Sequence, residues 1–463
     1  MRNPGRKLAL LLPAGMLALG LLALVWAMGI GSSEADEGTM QNCPQAGKWA
    51  ISVWSGDDGT DVDDALATCN ASGVAVAYSI DADTQQWSRW FADRPEISTL
   101  ATLDDMQGVL ALGSAGAPTS PTPSPTATPA VPDLAAGWTK IEPGGDTTCS
   151  QGTPYHYWVH PGTVNRLVVY FSGGGACWND FTCSDPGSYY NDTADDSGDP
   201  DEAAGIFDLD NPDNPFKDWF FVFIPYCTAD IHWGDNTQTY TIGGEETTVY
   251  HKGFVNASTV LDWIETNFEE PEKIFVSGCS AGSYGSAMGA PYIHELYPDV
   301  PLYQLGDAGA GVITDDFFAS GFPNWGAVAN IPDWIPALDI PWTEITMAKW
   351  YIALANYYSE DRWSQYNTAY DVDQIFFYGA MGGTAADWSD LMLASIQEIQ
   401  TSASNFHAYI APGEIHCITG DDIFYTREVE GVKLHDWVDD MVNDDEAWDE
   451  VMCTDCETDP LAP

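Results

Sequence analysis

The sequence has very few basic residues. Lys and Arg together number 15 among 463 residues, whereas Asp and Glu number 69, so the formal net charge at pH 7 is -54. A surface with this charge repels phosphate backbones and anionic lipid headgroups, which excludes nucleic acid as a partner and excludes membrane docking through a basic patch. The acidity itself is typical of a solubility device or of a salty habitat.

Common motifs for bound groups are also missing. The glycine run at residues 173–175 is not followed by Gly-Lys-Ser/Thr, so the sequence has no Walker-type nucleotide loop. Cys453 and Cys456 form a single Cys-x-x-Cys pair, which is a poor zinc signal without a second pair. The acidic run at residues 195–202 lacks the spacing of a hand-type calcium loop, so we interpret it as a solvated surface loop. We therefore expect no metal and no cofactor.

The chain begins with the features of an export signal. Three basic residues within the first seven precede an uncharged apolar run at residues 8–30. This order predicts an export signal within residues 1–33 and a secreted or extracytoplasmic protein. The run is long enough to span a bilayer, so an uncleaved anchor formed by residues 8–30 alone is the alternative. Ten cysteines in an exported chain indicate up to five disulfide bonds.

A stretch rich in Pro, Thr and Ser divides the chain into two domains. It reads PTSPTPSPTATPAVP from Pro118, a composition that cannot form a core and that favours an extended linker. We assign the linker to residues 114–133, between a small N-terminal domain at 42–113 and a large domain at 134–463. The role of the small domain does not follow from its sequence.

The small domain is predicted to be a disulfide-linked α+β fold. Two β-rich runs, at residues 48–54 and 74–80, lie on either side of a helix-like stretch that begins at Thr60. Its two cysteines, Cys43 and Cys69, are expected to pair, which would stabilise so small a fold.

The large domain alternates strand and helix patterns. Short continuous apolar runs are typical of strands that are covered on both faces, and they occur at residues 166–171, 219–225, 273–278 and 406–412. Helical stretches begin at Ile345 and Ala385. The alternation predicts an α/β fold in which a mostly parallel sheet carries helices on both faces.

A candidate nucleophile follows one of these strands. The strand at 273–278 leads directly into the pentapeptide GCSAG, whose serine is Ser280, and a helix of small residues is predicted after it. Strand, sharp turn and helix around G-x-S-x-G form a nucleophile elbow, in which glycines relieve the crowding around a strained serine. The amide of Ala281 at the helix N-terminus would then face a developing oxyanion, as would amides of the glycine run at 173–175.

A serine nucleophile also needs an acid and a histidine base, which follow it in the order Ser, Asp, His. His416 lies in the loop after the strand at 406–412, where a catalytic histidine is expected, whereas His407 lies within that strand and is interpreted as structural. Asp371 follows a β-like run and is a candidate acid. On the residues alone, three other carboxyl groups compete with it, those of Asp373, Asp387 and Asp390.

Several motifs resemble the pectin acetylesterase/Notum family of serine carboxylesterases. They lie in the same order between about residues 153 and 437 and read GGGACWN, PYCTADIHWGD, GCSAGSYG, GDAGAG, YNTAYD and APGEIH. The resemblance covers the large domain alone. It implies an α/β-hydrolase-like fold and selects Asp371 as the acid, beside Ser280 as the nucleophile and His416 as the base.

The resemblance also implies an oxyanion hole and a function. The amides that it assigns to the hole are those of Gly174, Gly175 and Ala281. The implied function is a secreted esterase that removes O-acyl groups, with acetyl favoured, from a carbohydrate or another ester. At the residue after the glycines this chain has Ala176, where Notum carries a bulkier aromatic side chain, so the shape of the pocket does not transfer. A Notum-like deacylase of longer acyl chains and a non-catalytic wall-binding or carbohydrate-binding protein are the alternatives.

Overall fold

The computed structural model describes residues 38–45, 48–69, 74–80, 87–92, 98–113, 131–457 and 459. The predicted export signal, with its apolar run at 8–30, lies outside these residues, as does most of the predicted linker. The chain separates into two compact units, Met1–Ala127 and Thr128–Pro463. Among the helices of the described ranges, none is long and apolar enough to cross a membrane.

The N-terminal unit is built around an antiparallel sheet. Its elements are β1 (Thr39–Gln41), β2 (Trp49–Ser55), β3 (Thr60–Asp61), α1 (Val62–Ala67), β4 (Val74–Ile80), β5 (Trp87–Phe91), β6 (Thr102–Leu103) and β7 (Gly108–Gly113). Five strands pair in the order β1-β2-β7-β4-β5, and the side chain of Asp61 caps α1. The expected disulfide between Cys43 and Cys69 is present. The prediction of a small disulfide-linked α+β fold is confirmed.

The C-terminal unit contains a nine-stranded, mostly parallel sheet. The order is β20-β17-β16-β15-β14-β10-β11-β9-β8, and all pairs from β20 to β11 are parallel, whereas β9 and β8 pair antiparallel at one edge. The strands of this unit are β8 (Thr139–Ile141), β9 (Tyr157–His160), β10 (Arg166–Phe171), β11 (Phe220–Ile224), β12 (Asn236–Ile242), β13 (Glu245–His251), β14 (Lys273–Cys279), β15 (Leu302–Asp307), β16 (Arg362–Thr368), β17 (Phe406–Ala411), β18 (Glu428–Val429), β19 (Val432–Lys433) and β20 (Val451–Met452).

Helices pack against this sheet, and together they enclose the main hydrophobic core. They are α2 (Gly253–Asn267), α3 (Ala281–Leu296), α4 (Asp315–Ser320), α5 (Met347–Tyr357), α6 (Val372–Ala380), α7 (Trp388–Ser402), α8 (Ile423–Thr426) and α9 (Leu434–Val442). α3 contacts β10, β14 and β15, α5 contacts β16, and α7 contacts β17. The central strands are buried along almost their whole length, as their continuous apolar runs predict. The predicted α/β fold is confirmed.

Five disulfides join all ten cysteines of the chain. The short-range pair Cys177–Cys183 closes a small loop directly after the glycine run. Cys279 and Cys417 form a bond across 138 residues of sequence. This bond joins the residue before Ser280 to the residue after His416, so it links the two segments that carry the predicted nucleophile and base.

Candidate active site

The site lies at the carboxyl ends of five neighbouring parallel strands. Ligands of open α/β sheets bind at this edge, because the loops that leave the strands converge there. The glycine run follows β10, Ser280 follows β14, Asp307 ends β15, Asp371 follows β16 and His416 follows β17.

Ser280 occupies a strained turn between β14 and α3. Its backbone has φ 59° and ψ −122°, a conformation that costs a non-glycine residue about 1–3 kcal/mol. The surrounding glycines permit the turn, because a Cβ on Gly282 would overlap the carbonyl oxygen of Phe171. The N–H of Ser280 donates to the carbonyl oxygen of Asp307 over 2.8 Å. This is the geometry that the sequence predicts for a nucleophile elbow.

Backbone amides around Ser280 are available to an oxyanion. Gly174 and Gly175 have φ 151° and 72°. Their turn is fixed by hydrogen bonds from Ala176 N–H to Tyr189 O (3.0 Å) and from Asn191 N–H to Gly174 O (2.9 Å). The Gly174 and Gly175 amides have no protein acceptor among the described residues. The N–H of Ala281 lies in the first turn of α3, where helical amides lack an internal partner.

His416 and Asp371 form a hydrogen-bonded pair. The His416 Nδ1 atom lies 2.8 Å from Asp371 Oδ2 and 2.9 Å from Oδ1. Asp371 is fully buried. The N–H of Tyr370 donates to the carbonyl oxygen of Gly413 over 2.9 Å, which aligns the loop after β16 with the loop after β17. Because the carboxylate accepts the Nδ1 proton, the Nε2 atom of the neutral ring is left to act as a base.

Gln374 is a site residue that the sequence analysis missed. Its Nε2 atom donates to Asp371 Oδ2 and to Asn367 Oδ1, both over 3.0 Å, and its Oε1 atom accepts the N–H of Ala310 over 2.8 Å. Asp371 is also the N-cap of α6, where it accepts the N–H groups of Asp373 and Gln374. The available signal was the spacing Asp-x-x-Gln, which is typical of a helix N-terminus.

The acids around His416 control its pKa. Burial alone would lower the pKa of His416, but the hydrogen bond and charge of Asp371, with the charges of Asp373 and Asp307, raise it above 6.5. A base must be deprotonated to act, so the pH profile should have an acidic limb at this raised pKa.

We expect Asp373→Asn to move that limb to lower pH by a fraction of a unit. Asp373 is exposed and is one of the acids that raise the pKa of His416, and solvent screens its charge. The measurement is kcat/KM for p-nitrophenyl acetate against pH. Asp262→Asn, which removes an exposed acid on α2 that does not act on His416, should leave the limb in place. A limb that does not move in Asp373→Asn contradicts the assignment of His416 as the titrating base.

Two cavities meet at Ser280 and His416. The inner cavity, of about 70 Å³, has mostly apolar walls that include Trp178, Phe317 and Trp388. The outer cavity, of about 380 Å³, is more open, and polar groups of Ser188, Asn191 and Asp373 line it together with the glycine run. An ester bond at this junction would have its acyl group on the apolar side and its alcohol on the polar side.

A buried polar network contacts Ser172, the residue that precedes the glycine run. The Nε2 atom of His232 lies 2.9 Å from the carbonyl oxygen of Ser172, and burial lowers the pKa of His232 to about 4. Asp230 accepts the Thr228 hydroxyl (2.6 Å) and the Gly253 N–H (2.8 Å), and burial raises its pKa to about 7. Within the motif PYCTADIHWGD, Asp230 and His232 are therefore structural, whereas Ile231 lines the inner cavity.

No hydrogen bond joins the competing acids to His416. Asp373, Asp387 and Asp390 are exposed, and it is Asp371 that accepts the hydrogen bond from His416 Nδ1. Two groups in the described ranges have the residue types of a metal site. One is Cys279, His416 and Cys417, the other Asp371, Asp373 and His416. In the first group both sulfur atoms belong to a disulfide, and in the second His416 donates to Asp371.

The comparisons with known proteins agree with this architecture. A family model described as pectinacetylesterase matches residues 139–322. Over these residues the C-terminal unit is similar to the pectin acetylesterase/Notum family. The matched residues include the glycine run and Ser280 and end before Asp371 and His416. The roles of Ser280, Asp371, His416 and the glycine amides stay predictions.

Individual relatives carry the name Notum. The chain is 28% identical over 145 residues to the palmitoleoyl-protein carboxylesterase NOTUM of Schmidtea mediterranea, which covers 30% of this chain and 26% of that protein. It is 22% identical over 171 residues to notum1a of Danio rerio, covering 35% and 33%. The solved structure of the Wnt deacylase Notum from Drosophila shares the fold, with a TM-score of 0.50 and 15% identity over 67% of this chain and 94% of that one. The sequence matches thus span about a quarter to a third of the length of the curated relatives.

Proposed function

We propose that the C-terminal unit is a serine carboxylesterase that hydrolyses short O-acyl esters, with acetyl esters of a carbohydrate as the preferred substrate class. The observation that carries this proposal is the His416–Asp371 hydrogen bond, beside a serine in a nucleophile elbow and at the junction of two cavities. A non-catalytic binding protein has no need for this combination.

The mechanism that these groups support passes through an acyl-enzyme. His416 Nε2 takes the proton of Ser280 Oγ as the oxygen attacks the ester carbonyl, and Asp371 stabilises the imidazolium. The amides of Gly174, Gly175 and Ala281 would receive the negative charge that develops on the carbonyl oxygen. The intermediate then expels the alcohol, which takes its proton from His416. Water, deprotonated by the same ring, hydrolyses the acyl-Ser280 ester and releases the carboxylic acid.

The size of the inner cavity supports a short acyl group. Its volume of about 70 Å³ is roughly half of the ~150 Å³ that holds benzene in an engineered protein cavity. An acyl group of two to four carbons fits this space, whereas a longer chain requires the walls to move. The aromatic walls are the observation that favours the second candidate, a Notum-like deacylase of longer chains.

The outer cavity and its surroundings support a carbohydrate as the alcohol. Exposed Phe181, partly exposed Tyr189 and exposed Phe376 form a row, with ring centroids 5.5 Å and 5.8 Å apart, and Tyr189 lines the outer cavity. Aromatic faces stack against the apolar C–H faces of sugar rings. Export of the protein, which the five disulfides support, would bring it to extracellular glycans.

We expect kcat/KM for p-nitrophenyl esters to be highest from acetate to butyrate and to fall about tenfold or more at octanoate. Overfilling a packed cavity costs about 1–3 kcal/mol. Met381→Ala, which trims one partly buried wall of the inner cavity, should raise the ratio of octanoate to acetate turnover.

Acetate release from a panel of acetylated polysaccharides, with Ser280→Ala as the blank, tests whether the substrate is a carbohydrate ester. A preference for octanoate supports the Notum-like candidate, and no turnover of any ester rejects both.

We expect activity on acetylated pectin to rise between 0.01 and 0.15 M salt through a falling KM. Pectin is a polyanion, and the charge of −54 repels it over a Debye length of about 30 Å at 0.01 M, which falls to about 8 Å at 0.15 M. Neither Lys nor Arg lines the two cavities in the described part of the chain. Turnover of neutral p-nitrophenyl acetate by the same preparation is the control and should change little. Equal pectin activity at both salt concentrations contradicts this prediction.

A further inference from the structure

Asp307 is a buried acid whose side chain holds the segment after His416. It is the last residue of β15 and is fully buried. Its Oδ2 atom accepts three hydrogen bonds, from the N–H groups of Ile418 (2.9 Å) and Thr419 (2.8 Å) and from the Thr419 hydroxyl (2.7 Å). The Thr419 hydroxyl oxygen also lies 2.9 Å from the Tyr170 hydroxyl of β10.

The backbone of the same residue holds the serine. Asp307 pairs with Cys279 in the register of β14 and β15, and its carbonyl oxygen accepts the N–H of Ser280 over 2.8 Å. One residue therefore contacts both reacting segments, the serine through its main chain and the histidine loop through its side chain.

The disulfide between Cys279 and Cys417 joins the same two segments but does not replace these contacts. A single covalent bond fixes the distance between two points and leaves torsions free. Two backbone amides and a hydroxyl that converge on one carboxylate oxygen fix the direction of the loop as well. His416 lies two residues before the first of these amides.

We propose that Asp307 is a positioning residue that sets the orientation of the His416 ring relative to Ser280. This inference rests on the proposed function, because it matters only if His416 is the base. A loss of orientation of the reacting groups on the 1 Å scale costs about 100-fold in rate. Asp307 should therefore affect kcat much more than KM.

The charge of Asp307 supplies a second readout. The acids that act on His416 are Asp371, Asp373 and Asp307, and each raises the pKa of the ring. Burial raises the pKa of Asp307 itself, against the three hydrogen bonds and the nearby His416, which lower it. Its Oδ1 atom is buried and has no hydrogen-bond partner within the described ranges. A variant without the carboxylate should therefore lower the pKa of His416.

The experiment compares Asp307→Asn with Asp361→Asn in the full chain. Asp361 is a matched control, because it is also buried and accepts a backbone N–H at the other end of β15, from Leu302 over 3.1 Å. With p-nitrophenyl acetate, Asp307→Asn should lose about 10- to 100-fold in kcat with KM within threefold, and its acidic limb should move to lower pH. Asp361→Asn should change thermal stability but neither kcat per folded molecule nor the limb.

Thr419 provides a test that does not depend on the folding of Asp307→Asn. Thr419→Val removes one of the three donors and should lower kcat several-fold without moving the acidic limb of the pH profile. Thr419→Ser keeps the hydroxyl and should have the kcat of the wild type. The inference is overturned if folded Asp307→Asn has the same kcat and the same acidic limb of its pH profile as Asp361→Asn. It is also overturned if Thr419→Val and Thr419→Ser have the same kcat. Wild-type turnover that survives Ser280→Ala would instead reject the proposed function, and the two failures are thus distinct.

Discussion

Ser280→Ala should lower the turnover of p-nitrophenyl acetate by about 10⁵-fold or more and leave the fold intact. The variant has no oxygen to form the acyl-enzyme, and members of a triad act as a unit, so His416→Ala should lose a comparable amount. The residual rate should still exceed that in water, because the amides of Gly174, Gly175 and Ala281 remain. The measurements are kcat, and thermal unfolding to verify the fold.

A serine on the following helix provides the control. Ser286 lies on α3, and its hydroxyl donates to the carbonyl oxygen of Ser283 over 2.8 Å. Ser286→Ala should hydrolyse p-nitrophenyl acetate at the wild-type rate, with a modest loss of thermal stability. A serine-reactive phosphonate should add its mass to the wild-type peptide that contains Ser280 and to no peptide of Ser280→Ala. Near wild-type turnover in Ser280→Ala would mean that the elbow is structural.

The strained backbone at Ser280 gives the same site a stability readout. A glycine adopts φ 59° without the cost that a side chain incurs. Ser280→Gly should therefore be as inactive as Ser280→Ala but more stable, by about 1 kcal/mol. Equal stability of the two variants would show that the turn stores no strain.

Local patterns in the sequence predict the fold and the strained turn at Ser280. The four apolar runs correspond to β10, β11, β14 and β17, and no predicted boundary differs from the observed one by more than one residue. The agreement is close because a strand that is covered on both faces needs continuous apolar side chains. The elbow could also be predicted from the sequence, because its strand, turn and helix are contiguous around Ser280. Cys43 and Cys69 were the only pair in their segment.

Contacts between segments that lie far apart in the sequence could not be predicted from local patterns. Asp371 and Asp373 are two residues apart, and only the fold decides which one is buried against His416. The bond between Cys279 and Cys417 closes 138 residues, and no local pattern specifies such a closure. The three hydrogen bonds to Asp307 likewise depend on the neighbouring positions of β15 and the loop after β17 in the sheet.

Asp371→Asn should lower kcat by about 10³- to 10⁴-fold, with little change in KM. The carboxylate holds His416 in the tautomer that carries its proton on Nδ1, so that Nε2 accepts the proton of Ser280. An asparagine amide that donates to Nδ1 favours the other tautomer, and Nε2 then carries a proton and cannot act as a base. Asp373→Asn, Asp387→Asn and Asp390→Asn are matched controls and should keep kcat within about threefold.

The pH profile of Asp371→Asn separates this explanation from general damage to the site. The hydrogen bond and charge of Asp371 are the largest of the influences that raise the pKa of His416, against burial, which lowers it. Their removal should move the acidic limb to lower pH, further than in Asp373→Asn, while the plateau falls. A fall in the plateau with an unmoved limb would mean that Asp371 acts through the α6 N-cap alone. A control variant that loses more kcat than Asp371→Asn would transfer the acid role to that residue.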